Sequence, residues 1–123
     1  MRIGIQADLR TAEDVRAAID SLVALNVELM SENPCAWPTI YQAGIRYVPE
    51  PRGPREEWLT APDLLARGQG DCEDLASYTA ARYIVNGVPA RAGVFRTAAG
   101  YHIVVILPNG DIEDPSARTG MLK

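Results

Sequence analysis

Hydrophobic side chains recur at spacings of three and four residues between Val15 and Leu29. This repeat predicts an amphipathic helix that packs along a core and continues to about Met30. Thr11 can cap its start. The acidic residues that follow, beginning with Glu13, lie in the first turn, where the helix dipole favours carboxylates.

Five prolines interrupt residues 31–54, so the sequence predicts an irregular segment with one short helical turn at 39–43. An irregular stretch of this length in a small domain is usually functional or wraps the surface. A short helix is predicted next. Thr60 is placed to cap it, Pro62 fits its first turn, and Gly68 stands where a terminating glycine belongs.

The most regular helical pattern begins at Asp71 and ends at Asn86-Gly87. Apolar and small residues form one stripe along it at helical spacing. The stripe consists of Cys72, Leu75, Ala76, Thr79, Ala80, Tyr83 and Ile84.

Patterns typical of β-strands dominate the C-terminal part of the chain, with candidate strands at 89–95 and 101–107. The sequence Pro108–Asp111 signals a hairpin turn that leads into 112–114. Near the N-terminus, alternation over 3–7 predicts one further short strand. Helices followed by antiparallel strands favour an α+β fold.

The composition is that of one globular domain, which we expect to cover residues 1–123. The net charge of −4 and the lack of a basic cluster argue against nucleic acid as a partner. The sequence contains neither an 18-residue apolar run nor a signal-peptide pattern, so we expect no membrane partner and a cytoplasmic location. Two cysteines and one histidine are too few for a disulfide framework or a usual zinc site, and no cofactor is expected.

Cys72 stands at the start of the most regular helix, where unpaired N–H groups and the helix dipole favour a thiolate and lower its pKa. Gly68 and Gly70 allow a substrate carbonyl to approach the backbone N–H of Cys72. Gln69 is the candidate for a second oxyanion donor because it lies close by in sequence. The alternative is a small buried cysteine with a packing role.

A nucleophilic cysteine needs a base, and the base needs an orienting acceptor. His102, the only histidine, opens a strand, and an acidic residue ends the strand that follows. A two-residue hairpin loop would place Glu113 on the face of His102, whereas a three-residue loop or a bulge would place Asp114 there. Asp114 is our first choice, and Glu113 is held in reserve. In isolation, His102 also fits a structural role, and Asp114 fits a turn cap.

Four blocks of the sequence together resemble the transglutaminase-like superfamily, over roughly residues 57–116. They are Gly70–Ala76, Gly87–Arg91, Tyr101-His102 and Asp114–Ser116. The resemblance implies a papain-like fold in which a nucleophile helix packs on a small antiparallel sheet. Many bacterial cysteine peptidases belong to this superfamily.

By this resemblance Cys72 is the nucleophile, His102 the general base and acid, and Asp114 the residue that orients His102. The implied activity is thiol-dependent hydrolysis of an amide bond in a protein or peptide, with acyl transfer left open. The alternative is a binding or assembly module that keeps the fold with little catalysis. The stretch Ile45–Pro49 is similar to small versions in tailed-phage genomes, which implies a place in a phage particle and phage structural proteins as partners.

The acids Asp71, Glu73 and Asp74 are expected to cap the helix and compensate its dipole. They are also candidate calcium ligands, a role implied by related bacterial peptidases. Their charges oppose a low thiol pKa at Cys72.

Cys35 is expected to be structural. Four aromatic residues are predicted as core anchors: Trp37, Tyr41, Tyr47 and Trp58.

Overall fold

The computed structural model describes residues 2–5, 12–49, 56–98 and 100–121. The helices are α1 (Ala12–Ser31), α2 (Ala61–Arg67) and α3 (Cys72–Val85). The strands are β1 (Arg2–Ile5), β2 (Arg46–Tyr47), β3 (Glu56–Leu59), β4 (Gln69–Gly70), β5 (Arg91–Thr97), β6 (Gly100–Ile106) and β7 (Ile112–Glu113). A 3₁₀ turn covers Pro34–Ala36, and a kinked helical segment covers Ala117–Met121. The predicted cap at Thr11 and the predicted strand position Ala7 lie outside the described residues.

The predicted α+β class is confirmed. Strands β5, β6 and β7 form an antiparallel meander, β1 pairs antiparallel with β3, and β2 pairs parallel with β4. The strands β2, β3 and β4 were not predicted, because two to four residues carry too little alternation to identify a strand. Within the described residues, no helix is both long enough and apolar enough to cross a bilayer.

Helix α3 lies at the centre of the molecule. Every residue from Cys72 to Ala81 is buried, so the helix is covered on two sides rather than along the single predicted stripe. Ala76 and Ala80 face one cluster, and their small side chains allow close approach by the neighbouring elements. That cluster joins α1 and α3 to the meander through Ile19, Leu22, Ala92, Val94, Ile103 and Val105. A second cluster on the other side contains Met30, Ile40, Leu59, Leu64, Leu75 and Tyr78.

The segment after α1 is irregular, as its proline content predicts, and it packs over α3. Its backbone carbonyls accept hydrogen bonds from that helix: Tyr78 Oη donates to Pro38 O at 2.6 Å, and Arg82 Nε donates to Trp37 O at 2.9 Å. Trp37 and Tyr78 also meet edge to face. The predicted turn at 39–43 is present, closed by the hydrogen bond from Ala43 N–H to Thr39 O.

The loop between β6 and β7 sets which acidic residue faces His102. Leu107 N–H donates to Asp111 O, so the loop has three residues, and Val105 pairs with Glu113. Opposite residues share a face and neighbours alternate, which places Asp114 on the face of His102 and Glu113 on the other. The loop between β6 and β7 is therefore the three-residue loop that predicts Asp114, rather than Glu113, on the face of His102.

Asn26 is a buried polar residue that ties the three helices together. Its Oδ1 accepts the Ala61 N–H at the start of α2 at 2.8 Å, and its Nδ2 reaches Ser77 Oγ on α3 at 3.5 Å. Removing the side chain would leave the Ala61 N–H buried without its acceptor.

We expect Asn26→Ala to lower the free energy of unfolding by about 2–4 kcal/mol, the combined cost of an unpaired buried donor and a cavity. The matched control is Asn33→Ala, because Asn33 is exposed and makes no side-chain capping hydrogen bond. Its effect should stay within about 0.5 kcal/mol. Urea denaturation of the two variants checks this, and equal effects would contradict the structural role of Asn26.

Candidate active site

Two carboxylates organise the start of α3. Asp71 caps the helix, and Asp74 completes a capping box by accepting the Asp71 N–H at 3.0 Å. The other oxygen of Asp74 accepts the Leu59 N–H of β3 at 2.7 Å. The predicted capping role of both residues is confirmed, and the fully buried Asp74 additionally joins the helix to a strand.

The glycines before Cys72 have packing roles. A Cβ on Gly70 would lie 2.9 Å from Asp74 Cβ and 2.8 Å from Leu64 Cδ1, so only glycine fits there. Gly68 ends α2 with φ of +76° and donates its N–H to Leu64 O. Both glycines are accounted for by these contacts, rather than by the predicted approach of a substrate carbonyl.

The backbone N–H of Cys72 donates to Asp71 Oδ1 at 2.7 Å. The prediction that this N–H is directed at a substrate oxyanion is therefore wrong for the structure, because the helix cap uses it. Gln69 lies partly buried in β4. Its role as a second oxyanion donor stays a prediction.

The Cys72 side chain is buried, with 8% of the residue exposed, and its thiol donates to Glu73 Oε2 at 3.4 Å. Burial raises the pKa of the thiol, and the charges of Glu73 and Asp71 raise it further. A hydrogen bond from the backbone N–H of Ile103 acts in the opposite direction. The predicted low thiol pKa is wrong, because desolvation and nearby carboxylates outweigh the favourable position at a helix start.

Glu73 is also buried, and its carboxyl faces like charges. Burial raises the pKa of Glu73 well above its usual 4.5, with further increases from Asp71 and Asp74. The Cys72–Glu73 pair therefore holds its protons more strongly than the free side chains do. From the sequence, Glu73 is predicted only as a capping or dipole partner or as a calcium ligand, since adjacent helical residues give no signal of a mutual contact.

Tyr47 of β2 forms the side wall of this cluster. Burial and the charge of Asp71 raise the pKa of Tyr47 to about 12, and its hydroxyl hydrogen-bonds with the Asp71 carboxylate. The parallel pairing of β2 with β4 brings Tyr47 opposite Gly70. From the sequence, Tyr47 is predicted only as a core aromatic, because the pairing of β2 with β4 connects segments far apart in the chain.

His102 and Asp114 form the predicted contact. His102 Nε2 lies 2.7 Å from Asp114 Oδ2, and the two side chains are 20% and 29% exposed. The second oxygen of Asp114 accepts the Ala117 N–H at 3.1 Å, which holds the carboxylate from its other side. Since Nε2 is engaged, Nδ1 is the nitrogen of His102 that can exchange a proton with another group.

The structure places Cys72 beside the same strand without joining it to His102. Within the described residues, no hydrogen bond links the Cys72 thiol to His102. Cys72 and Ile103 share the first core cluster. His102 instead pairs across the sheet with Phe95, which is 46% exposed. Because neighbouring strand residues alternate, His102 lies on the face of the meander opposite Ile103, and the Cys72 thiol contacts β6 at the residue next to His102 rather than at His102 itself.

Glu113, the reserve candidate for the third residue, does not contact His102. Its two oxygens accept hydrogen bonds from Tyr41 Oη and Tyr83 Oη, each at 2.5 Å. These phenols anchor β7 to α3 and to the irregular segment on the face opposite His102. The choice of Asp114 over Glu113 as the partner of His102 is confirmed.

Asp71, Cys72 and Glu73 bring three possible metal-ligand atoms within 4.8 Å of one another. Asp74, the third calcium candidate, instead directs both oxygens at backbone N–H groups. Calcium takes about six to eight oxygen ligands, whereas this cluster offers two carboxylates and a sulfur. We therefore assign no metal a part in the chemistry of the site.

Both cysteines are free thiols, and they lie in opposite environments: Cys35 is exposed in the 3₁₀ turn, whereas Cys72 is buried. The expected structural role of Cys35 is wrong, because an exposed side chain adds no core packing.

Comparison of the chain with models of known protein families, with curated proteins and with solved structures finds no match. The chemistry of the site is therefore inferred from its own geometry.

We expect Glu73→Gln to flatten the pH dependence of stability. The pKa of Glu73 is higher in the folded protein than in the unfolded chain. Protonated Glu73 therefore contributes stability that is complete below about pH 4.5 and is lost as the pH rises through the folded-state pKa. Glutamine has the shape of the protonated acid, so the stability gained over the parent should increase as the pH rises above about 4.5.

Thermal melts across this pH range test the expectation. Glu28→Gln, which neutralises an exposed carboxylate on α1, serves as the control and should follow the parent. If the difference in melting temperature between Glu73→Gln and the parent were the same at every pH, ionisation of Glu73 would not destabilise the folded protein, and the prediction would be wrong.

Proposed function

We propose that the chain is a thiol-dependent hydrolase of amide or peptide bonds, with Cys72 as nucleophile, His102 as general base and acid, and Asp114 as the residue that orients His102. The observation that supports this most strongly is the 2.7 Å contact between His102 Nε2 and Asp114 Oδ2. It orients the imidazole, and His102 is the chain neighbour of Ile103, whose N–H meets the Cys72 thiol. The sequence resemblance to transglutaminase-like peptidases supports the same assignment.

In the proposed reaction, the thiol leaves Glu73 and attacks the amide carbonyl carbon while its proton passes to His102 Nδ1. The carbon–nitrogen bond then breaks, the amine takes that proton and departs, and a thioester remains on Cys72. Water gives a proton to Nδ1 as it attacks the thioester, which releases a carboxylic acid and restores the thiol. Because the pKa of Cys72 is raised, proton transfer to His102 accompanies attack rather than preceding it.

The surface beside His102 suits an apolar substrate group. Phe95 lies directly across the sheet from His102, and Ile112 is 58% exposed on the same face. Exposed apolar patches mark sites that bind ligands or partner chains. We propose that they bind an apolar side chain adjacent to the scissile bond, in a protein or peptide substrate.

A second candidate, a transglutaminase-like binding or assembly module with little catalysis, is favoured by the state of the thiol. Cys72 is buried, its thiol is bonded to Glu73, and its N–H is used by the helix cap. A module of this kind would keep the His102–Asp114 contact as a structural feature. The resemblance of Ile45–Pro49 to small phage-encoded versions makes a phage particle its proposed setting.

Covalent trapping separates the two candidates. The protein carries Cys35→Ala, so that Cys72 is the only thiol, and is treated with a library of peptide-like chloroacetamides. Peptide mapping by mass spectrometry then locates each adduct. A hydrolase should be labelled on Cys72 by particular members far faster than by iodoacetamide. Uniformly slow labelling by every member would support the module.

Substitutions of His102, Asp114 and Cys72 test the proposed roles of these residues in the same labelling assay. His102→Gln and Asp114→Asn should each lower the rate of selective labelling by about 10²–10⁴-fold, the usual contribution of a general base, while the melting temperature changes little. Cys72→Ala should abolish labelling at a stability cost of about 1–2 kcal/mol. Full labelling of His102→Gln would contradict the assigned base, and unfolding of Cys72→Ala would identify Cys72 as a core residue.

A further inference from the structure

A cavity of about 80 Å³ opens on the side of the meander opposite His102, beside the second half of α3. It is lined by Thr39, Ile40, Tyr41, Thr79, Arg82, Tyr83, Glu113 and Arg118. At roughly 10–15 Å³ for each water, the cavity of about 80 Å³ has room for about five to eight waters, or for a ligand group of a few heavy atoms. The proposed reaction uses none of these residues.

Hydrogen-bond donors in this cavity outnumber the acceptors available to them. Thr79 is 8% exposed, and its hydroxyl has no hydrogen-bond partner among the described residues. Arg82 uses Nε to hold Trp37 O, and its two Nη groups make no hydrogen bond within the described part of the chain. Buried polar groups are normally paired, so the Thr79 hydroxyl is placed to bind a group from outside the chain, next to the partly buried Nη donors of Arg82.

The one acidic residue of the cavity is already satisfied. Both oxygens of Glu113 accept phenol hydrogen bonds, and the Arg118 guanidinium lies 3.7 Å from Oε2 while stacking on the Tyr41 ring. Two guanidinium groups thus face one carboxylate, which leaves the cavity with one positive charge uncompensated.

From this arrangement we infer that the cavity is a binding site for a carboxylate group. A planar carboxylate matches the paired Nη donors of Arg82, accepts the Thr79 hydroxyl and restores neutrality. The limited volume admits the carboxylate and the carbon that carries it, rather than a whole large ligand. A small carboxylic acid and the C-terminus of a peptide both present this group.

Titration followed by NMR tests the inference on the intact chain. The probes are acetate, an N-acetylated tripeptide with a free carboxylate, the same tripeptide as its C-terminal amide, and inorganic phosphate. We expect the free acids to shift the Thr79 methyl and Arg82 Nε–H signals, and the amide to bind at least about tenfold more weakly. Tighter binding of the tripeptide than of acetate would identify a chain terminus as the ligand. The reverse order would identify a small acid.

Thr79→Val keeps the shape of the side chain and removes its hydroxyl. It should weaken binding of the free acids by about tenfold, the effect of losing one hydrogen bond to a charged group. It should not lower the melting temperature without ligand, because the hydroxyl has no partner to lose. Thr97→Val, at the exposed end of β5, is the matched control and should bind like the parent.

Absence of shifts with either acid, equal binding of the amide, or tighter binding of phosphate would overturn the assignment. Should Thr79→Val fail to fold, Arg82→Lys provides the second variant, since it keeps the charge and removes the planar pair of donors. Because the cavity shares no residue with the proposed triad, these results are independent of whether Cys72 is catalytic.

Discussion

The buried carboxylate of Asp74 is the constraint on which the site depends. Its two oxygens accept backbone N–H groups from Leu59 and Asp71, so one side chain fixes both β3 and the first turn of α3. Gly70 must lack a side chain for Asp74 to fit. A buried acid that accepts two backbone donors is held in one position, and it therefore determines where Cys72 stands. Helix α3 is buried on two sides, so a shift at its start would disturb both core clusters.

The same cluster of acids lowers the reactivity of Cys72, the proposed nucleophile, by raising the pKa of its thiol. Burial raises the pKa of Cys72, and Glu73 and Asp71 raise it further, so the thiol is protonated and bonded to Glu73. A reactive thiolate would need a neighbouring cation instead. His102 is the available base, with its Nε2 already held by Asp114. The proposed reaction therefore requires the Cys72 thiol to leave Glu73 and transfer its proton to His102 when substrate binds.

Local patterns were sufficient to predict the helices and the strands of the meander, because spacing and caps act within a few residues. The His102–Asp114 contact was predicted from the sequence resemblance, because strand alternation leaves two registers and a two-residue hairpin loop would have placed Glu113 beside His102. Contacts between distant segments were missed, including Tyr47 beside Asp71 and the pairing of β1 with β3. The sign of the thiol pKa shift was also missed, because it depends on burial, which two-sided packing of α3 decides.

Formation of an acyl-enzyme tests the account most directly. The Cys35→Ala protein is mixed with an activated acetyl ester, and release of the leaving group is followed together with the mass of the intact protein. The account predicts a burst equal to the protein concentration and one acetyl group on Cys72, and a burst slower by about 10²–10⁴-fold in His102→Gln. Acetylation of Cys72 at the same rate in His102→Gln, or no acetylation of Cys72 at all, would contradict the claim that Cys72, His102 and Asp114 act together.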